Sequence, residues 1–153
     1  MATIALSMIL SDSPSLAAIK PTEDVKILES EAYCLAKVIY FEARGEPIFG
    51  QIAVAQVTIN RRDSNLFPRT ICKVISQTTP VCQYSWYCDG KSDDLPSNKE
   101  ARLALALAKG LLTQEVIDIT QGALFFHSTS INPGWNNLEK TVEIGAHVFY
   151  RRS

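Results

Sequence analysis

The chain has 153 residues, a length that fits one domain with a normal hydrophobic core. Its 46% hydrophobic and 20% charged residues are ordinary for a globular protein. The net charge of −1 gives no electrostatic reason to expect nucleic acid or an anionic membrane surface as a partner, and no stretch approaches the ~20 apolar residues of a membrane-spanning helix.

Residues 1–24 are predicted to form an N-terminal lead-in, and a single domain is expected from residue 25 to residue 153. Ala2 to Leu10 is apolar, and Ser15-Leu16-Ala17 could serve as the cleavage site of a secretion signal. No Lys or Arg precedes the apolar run, and Asp12 follows it closely. A short extension, or a segment that packs on the domain, is therefore favoured over a cleaved signal.

The first clear element is a helix predicted over Ser30–Phe41, with Ser30 as its N-cap. The spacing of one buried helix face is repeated by Ala32, Leu35, Ala36 and Ile39. Continuing this face brings Glu42 against the core, where loss of water raises the pKa of a carboxyl group. Such a carboxyl suits a general acid that works near neutral pH. The alternative is that Glu42 and Glu46 are solvated charges at a helix end.

Three further helices and a small β element are predicted downstream. Helices are expected over Gly50–Arg62, from Pro68 to about Gln77, and over Asn98–Leu112. The first of these also contains β-branched residues that suit a strand, but its length and its Ala and Gln content favour a helix. Short strands are expected over Gly122–Ser128 and Thr141–Arg151. The pattern is that of an α+β domain, mainly helical.

Four cysteines are present, at positions 34, 72, 82 and 88, and their spacing fits no zinc motif. With only two histidines as well, we predict no metal site and no cofactor. Cys82 and Cys88 could pair with one another, or one of them could reach Cys72. Cys34 and Cys72 could also be buried small hydrophobes. Four cysteines allow three full pairings, and the sequence does not choose among them.

The segment from Tyr40 to Arg61, YFEARGEPIFGQIAVAQVTINR, resembles the signature of the SleB/CwlJ-type cell-wall hydrolases, a family of spore-cortex-lytic enzymes and phage lysins. The resemblance continues in order through residues 67–75, 83–91 and 122–127, and then 133–135 with 144–151. It covers residues 31–152 in five ordered blocks, whereas a single short block would carry little weight. It implies a lysozyme-like fold with a small antiparallel β element.

The resemblance also implies a chemistry, which is cleavage of the β-1,4 bond between N-acetylmuramic acid and N-acetylglucosamine in peptidoglycan. Related enzymes are lytic transglycosylases, in which one carboxylic acid protonates the glycosidic oxygen and the C6 hydroxyl closes a 1,6-anhydro ring. Because the acid closes the first core helix in lysozyme-like folds, Glu42 is the expected acid and Glu46 the alternative. A muramidase-type hydrolase would need a second carboxylate, for which Asp89 and Asp93 are the candidates.

Sugar binding needs flat apolar faces beside hydrogen-bonding groups. The expected substrate contacts are Gln83, Tyr84, Ser85, Trp86, His127 and Trp135. His147, among apolar neighbours, is expected to be structural.

The expected partner is the peptidoglycan glycan strand, and the protein is expected to be a monomer. It would act on the bacterial cell wall from the periplasm or during lysis of a host cell, where a phage endolysin would work. Two other classes remain open. An N-acetylmuramoyl-L-alanine amidase or a peptidase would need a metal or a Cys-His pair, and a glycan-binding module would need no acid.

Overall fold

The computed structural model describes residues 20–153. Within this range the helices are α1 (Glu23–Ala43), α2 (Ile48–Asp63), α3 (Ile71–Ile75) and α4 (Lys99–Thr113), with a 3₁₀ helix at Ser85–Cys88. The strands are β1 (Phe125–Ser128), β2 (Leu138–Ile144) and β3 (His147–Arg152). They form one antiparallel sheet in the order β1-β3-β2. The prediction of a mainly helical α+β domain with a small antiparallel element is confirmed.

Helix α1 begins about two turns before the predicted start at Ser30. Thr22 is its N-cap, because the Thr22 hydroxyl oxygen accepts a hydrogen bond from the Val25 N–H at 3.4 Å. Ser30 is therefore a residue of the helix and not its cap. Of the predicted lead-in, residues 1–19 lie outside the described part of the chain, and with them the apolar run and the candidate cleavage site. The predicted domain start at residue 25 stays a prediction.

The apolar face predicted for α1 is fully buried, and it forms the centre of the helical core. It packs against Ala55 of α2, Ile71 of α3, and Ala104 and Ala108 of α4. Because alanine side chains are small, α4 can approach α1 closely. This packing fixes the direction of α1 and therefore the position of its C-terminal end.

Helices α2 and α4 match their predictions, and Asn98 caps α4 by accepting the Ala101 N–H at 2.8 Å. Helix α3 is shorter than predicted and does not include Pro68. Its cap is Thr70, whose hydroxyl oxygen accepts the Lys73 N–H at 3.2 Å. Proline therefore lies before the cap, in the connection from α2.

The segment Thr141–Arg151 is β structure as predicted, but it is divided between two strands of a hairpin. β2 and β3 are joined by a turn in which Gly145 has a φ of 57°. A glycine adopts this left-handed conformation without the steric cost that other residues meet. β1 also starts later than predicted, since Gln121 and Gly122 have positive φ values before it. Behind the sheet, Phe149 packs with Val54 and Val57 of α2.

Two disulfides are formed, Cys34–Cys72 and Cys82–Cys88. The first joins α1 to α3, so Cys34 and Cys72 are not free hydrophobes. The second closes a short loop around the 3₁₀ helix. Among residues 20–153, no helix is both long and apolar enough to cross a bilayer. The same residues contain no group of three or more His, Cys, Asp or Glu side chains that could hold a metal ion.

Candidate active site

An open cavity of about 350 Å³ lies where the C-terminal ends of α1 and α2 meet the loop before the 3₁₀ helix and the sheet. Its lining residues are Glu42, Arg61, Cys82, Gln83, Ser85, Phe126, His127, Ser128, Ile131 and His147. Among these described lining residues, Glu42 is the single carboxylic acid. The cavity therefore combines one acid with hydrogen-bonding side chains and apolar surface, as a sugar site requires.

Glu42 lies in the last turn of α1 and is largely removed from water. Burial is the largest effect on this group and raises the pKa of the Glu42 carboxyl above its usual 4.5. The indole N–H of Trp86 and the positive charge of Arg61 both oppose the rise. The raised pKa keeps a larger share of Glu42 protonated near neutral pH, which a proton donor needs.

Trp86 forms part of the wall behind Glu42. Its ring stacks on Phe41 with centroids 4.9 Å apart, and only 7% of the residue is exposed. The indole nitrogen is buried and makes no hydrogen bond of ordinary geometry, although its N–H acts on the Glu42 carboxyl. The structure therefore does not place Trp86 among the residues that line the cavity, and its role as a substrate contact stays a prediction.

Tyr84 does not line the cavity either. It is 1% exposed and lies in a core cluster with Val38 and Val74. Its hydroxyl is hydrogen-bonded to the Thr58 hydroxyl at 2.7 Å. Tyr84 thus supports the cavity from behind, while its sequence neighbours Gln83 and Ser85 line the cavity, where they could contact a substrate.

Arg61, from the last turn of α2, is a buried cation beside Glu42, with 5% of the residue exposed. Its Nε donates to the Leu124 carbonyl oxygen at 2.8 Å. The guanidinium also lies over the rings of Phe67 and Tyr84, at 5.1 and 5.4 Å from their centroids. One terminal nitrogen is buried without a hydrogen-bond partner. Within residues 20–153, the positive charge of Arg61 in the cavity wall is therefore not neutralised by an ion pair.

His127 lines the cavity, but both of its ring nitrogens are already engaged. Nδ1 lies 2.7 Å from the Ser128 carbonyl oxygen, which can only accept, so Nδ1 carries the hydrogen. Nε2 then accepts from the Tyr150 hydroxyl at 3.0 Å. In this arrangement the His127 ring can contact a substrate, but neither ring nitrogen is free to form a hydrogen bond with it.

Trp135 is absent from this cavity and lies in the wall of a neighbouring one of about 570 Å³. The larger cavity is lined by Val81, Gln83, Phe125, Trp135, Asn137, Leu138, Arg152 and Ser153. Gln83 belongs to both walls, so the two cavities adjoin. The larger one has no Asp or Glu side chain among its lining residues, so of these two adjoining cavities only the smaller one has a side-chain carboxyl group in its wall.

Glu46, the alternative acid, does not line either cavity. One of its carboxylate oxygens accepts the Ala146 N–H at 3.3 Å, in the turn between β2 and β3. The other lies 4.0 Å from Nδ1 of His147. The Glu46 carboxylate thus contacts the hairpin turn and does not line the cavity. The geometry therefore favours Glu42 as the acid.

Arg61 and His147 are side chains of the cavity wall that can carry a charge and that were not predicted as site residues from the sequence. Arg61 ends the first matched block and His147 lies in the last one, so the resemblance did contain both. In the sequence, Arg61 looks like an ordinary charged residue at a helix end, and His147 looks like a structural residue in an apolar strand. Their approach to Glu42 depends on tertiary structure.

The fold is lysozyme-like, as the resemblance implies, and its open cavity has one partly buried side-chain carboxyl group, Glu42, among the lining residues. A family model described as cell wall hydrolase matches residues 45–150. The chain therefore belongs to the cell wall hydrolase family, and Glu42 lies just before the matched residues.

The relatives include two spore cortex-lytic enzymes. The one from Oceanobacillus iheyensis is 32% identical over 123 residues, which are 79% of this chain and 41% of the relative. The one from Bacillus subtilis is 32% identical over 117 residues, 75% of this chain and 35% of the relative. The chain thus spans less than half the length of either one.

Two solved structures have the same fold. The catalytic domain of Bacillus cereus SleB matches with a TM-score of 0.63 and 29% identity, over 80% of this chain and 91% of that domain. The catalytic domain of the germination-specific lytic transglycosylase SleB from Bacillus anthracis matches with a TM-score of 0.62 and 29% identity. The match covers 79% of this chain and 93% of that domain. The predicted resemblance to the SleB-type family is confirmed.

Proposed function

We propose that this chain cleaves the β-1,4 bond between N-acetylmuramic acid and N-acetylglucosamine as a lytic transglycosylase, with Glu42 as its acid and base. The observation that carries the proposal is a cavity with one carboxyl group, Glu42, whose pKa is raised by burial. A structural neighbour whose title says lytic transglycosylase supports it. The substrate would be the peptidoglycan glycan strand, met at the bacterial cell wall from the periplasm or during host lysis.

The reaction needs only one proton carrier. Protonated Glu42 donates its proton to the glycosidic oxygen as the bond from that oxygen to C1 of the muramoyl residue breaks. The Glu42 carboxylate then takes the proton of the C6 hydroxyl as that oxygen bonds to C1. The 1,6-anhydro ring closes, Glu42 is protonated again, and no water is consumed. The Arg61 charge stabilises the carboxylate between the two steps.

A muramidase-type hydrolase is the second candidate, and it would need another carboxylate at about 5–9.5 Å from the first. The candidates Asp89 and Asp93 are not among the residues that line the cavity. The lining therefore favours the transglycosylase. A cysteine nucleophile for a peptidase is disfavoured as well, since all four cysteines are in disulfides.

The test is mass spectrometry of the soluble products from purified peptidoglycan, with wild type compared with Glu42→Gln. We expect wild type to release muropeptides that end in 1,6-anhydromuramic acid, and the variant to be slower by about 10²–10⁴-fold, the usual contribution of a general acid. The matched control is Glu139→Gln, the same change on an exposed carboxylate of β2, which should leave cleavage unchanged.

Each alternative has its own product. Reducing-end muramic acid would identify a hydrolase, and Asp89→Asn and Asp93→Asn would then be tested for loss of activity. Freed stem peptides would identify an amidase and would overturn the proposal. Unaltered cleavage by Glu42→Gln would move the acid to another residue, with Glu46 tested next.

A further inference from the structure

His147, the first residue of β3, is a buried imidazole in the wall of the catalytic cavity that the proposed reaction does not use. Only 7% of the residue is exposed, and Phe126 meets the ring edge-on at 5.3 Å between centroids. Its Nδ1 is buried and makes no hydrogen bond. Burying a polar atom without a hydrogen-bond partner costs free energy of folding. The presence of such an atom in the wall of a site therefore requires an explanation.

Glu46 faces that nitrogen from the turn between α1 and α2. Its Oε1 lies 4.0 Å from Nδ1 of His147, while Oε2 accepts the Ala146 N–H. Position 145 is a glycine, and a Cβ there would lie 2.5 Å from Oε2 of Glu46. The Glu46 carbonyl oxygen in turn accepts a hydrogen bond from the Gln51 side chain at 2.9 Å. The carboxylate is therefore held against the hairpin beside His147.

This arrangement favours one tautomer of the His147 imidazole. A carboxylate on the Nδ1 side attracts a hydrogen on Nδ1, which leaves Nε2 as an acceptor. Burial lowers the pKa of His147. The charge of Glu46 opposes this effect, whereas electrostatic interaction with His127 lowers the pKa further. The ring is therefore neutral at neutral pH. Because Nδ1 is turned into the protein, Nε2 on the opposite edge of the ring is the nitrogen that remains for the cavity.

We propose that Nε2 of His147 accepts a hydrogen bond from an O–H or acetamido N–H group of the glycan, and that Glu46 is a positioning residue that fixes the tautomer. The inference rests on the proposed function, since it takes the bound glycan as the ligand. His127 lines the same cavity but has no free nitrogen, so His147 is the histidine able to bind. Glu46 acts here without touching the substrate.

The test is a double-mutant cycle with soluble glycan strands as substrate, in which kcat and KM are measured for each variant. We expect His147→Ala to lower kcat/KM about tenfold to a hundredfold, the range for losing one buried hydrogen bond. His147→Gln should recover part of this, because the glutamine amide reaches toward the place of Nε2. Glu46→Gln should cost severalfold in the wild-type background and nothing further in His147→Ala. Glu139→Gln is the control on the same hairpin.

Circular dichroism at the assay temperature gives the folded fraction of each variant, and the rates are corrected for it. Two results overturn the inference: additive losses for Glu46→Gln and His147→Ala, or His147 variants with wild-type kcat/KM per folded molecule. If wild type released no 1,6-anhydro products, the proposed function would fail whatever the His147 variants did. If those products form and His147→Ala matches wild type, only this inference fails.

Discussion

Glu42 and Arg61 are ionisable residues of the cavity wall that the fold largely removes from water. They are close enough for the Arg61 charge to act on Glu42, but the guanidinium hydrogen-bonds a carbonyl and lies over aromatic rings instead of forming a bidentate pair. A direct ion pair would have held Glu42 as a carboxylate. The separation keeps Glu42 available as a proton donor while still favouring the carboxylate after the proton has left.

The first prediction at this scale concerns the stability of Glu42→Gln. The folded-state pKa of Glu42 is raised from 4.5, so its contribution to stability is present below that value and is lost as pH rises through the folded pKa. Glutamine has no charge to desolvate and should therefore be more stable than wild type at neutral pH, by about 0.5–2 kcal/mol, as is usual for relief of an active-site cost.

Thermal unfolding of both proteins at pH 4 and pH 8 measures this difference. We expect similar melting temperatures at pH 4 and a higher value for the variant at pH 8. A variant that is less stable than wild type at pH 8 would show that the carboxylate is favourably held, contrary to the raised pKa.

The second prediction concerns Arg61→Met, which removes the positive charge near Glu42. The pKa of Glu42 should rise further, because Arg61 now lowers it. Since the acid must be protonated to act, the alkaline limb of the pH–activity profile should move to higher pH, while the maximal rate falls with the loss of carboxylate stabilisation. Arg61→Lys is the matched control that keeps the charge. A limb that stays in place in the Met variant would remove Arg61 from the electrostatics of the site.

At the scale of elements, the loop 82–88 carries three residues of the cavity wall, namely Cys82, Gln83 and Ser85, and one disulfide closes it. The other disulfide joins α1 to α3 across a sequence separation of 38, and neither of its cysteines lines the cavity. Loop-closure entropy is larger for the longer loop: about 4 kcal/mol for Cys34–Cys72 against about 2 kcal/mol for Cys82–Cys88. We therefore expect the Cys34–Cys72 disulfide to contribute more to the stability of the fold, and Cys82–Cys88 to stabilise the cavity wall.

The third prediction separates these roles with the paired variants Cys34→Ser/Cys72→Ser and Cys82→Ser/Cys88→Ser. The first pair should lose more free energy of unfolding, measured with denaturant, yet keep its kcat/KM per folded molecule. The second pair should lose less stability and more activity, since the wall that holds Gln83 and Ser85 is no longer cross-linked. Equal activity losses in both pairs would show that the short loop is held by its other contacts.

The helices were largely predictable because their signals are local. Asn98 marks the start of α4, and the apolar spacing from Ala32 to Ile39 marks the buried face of α1. The start of α1 was missed because its first turns bury no apolar face, with Val25, Ile27 and Leu28 exposed, and they depend on the Thr22 cap. The hairpin was missed because one glycine, Gly145, divides an otherwise continuous β-like segment.

The candidate site was predictable only in part, for a reason that applies to the whole molecule. Glu42 comes from α1, Arg61 from α2, Gln83 from a loop and His147 from β3, and the core clusters bring these four together. The aromatic residues near them were harder to assign, because a sequence does not tell which face of a ring will be covered. Trp86 and Tyr84 turned inward, whereas Trp135 lies in the wall of the adjoining cavity.

The length of α1 has a further consequence for Glu42. Aligned peptide dipoles give the C-terminal end of a helix a partial charge of about −0.5, and the last turn of this 21-residue helix contains no basic residue to offset it. Glu42 lies in that turn, so the backbone itself repels a negative charge there, in addition to the effect of burial. The same dipole favours the acidic residues Glu23 and Asp24 at the opposite end. The direction of α1 therefore acts together with burial to favour the protonated form of Glu42.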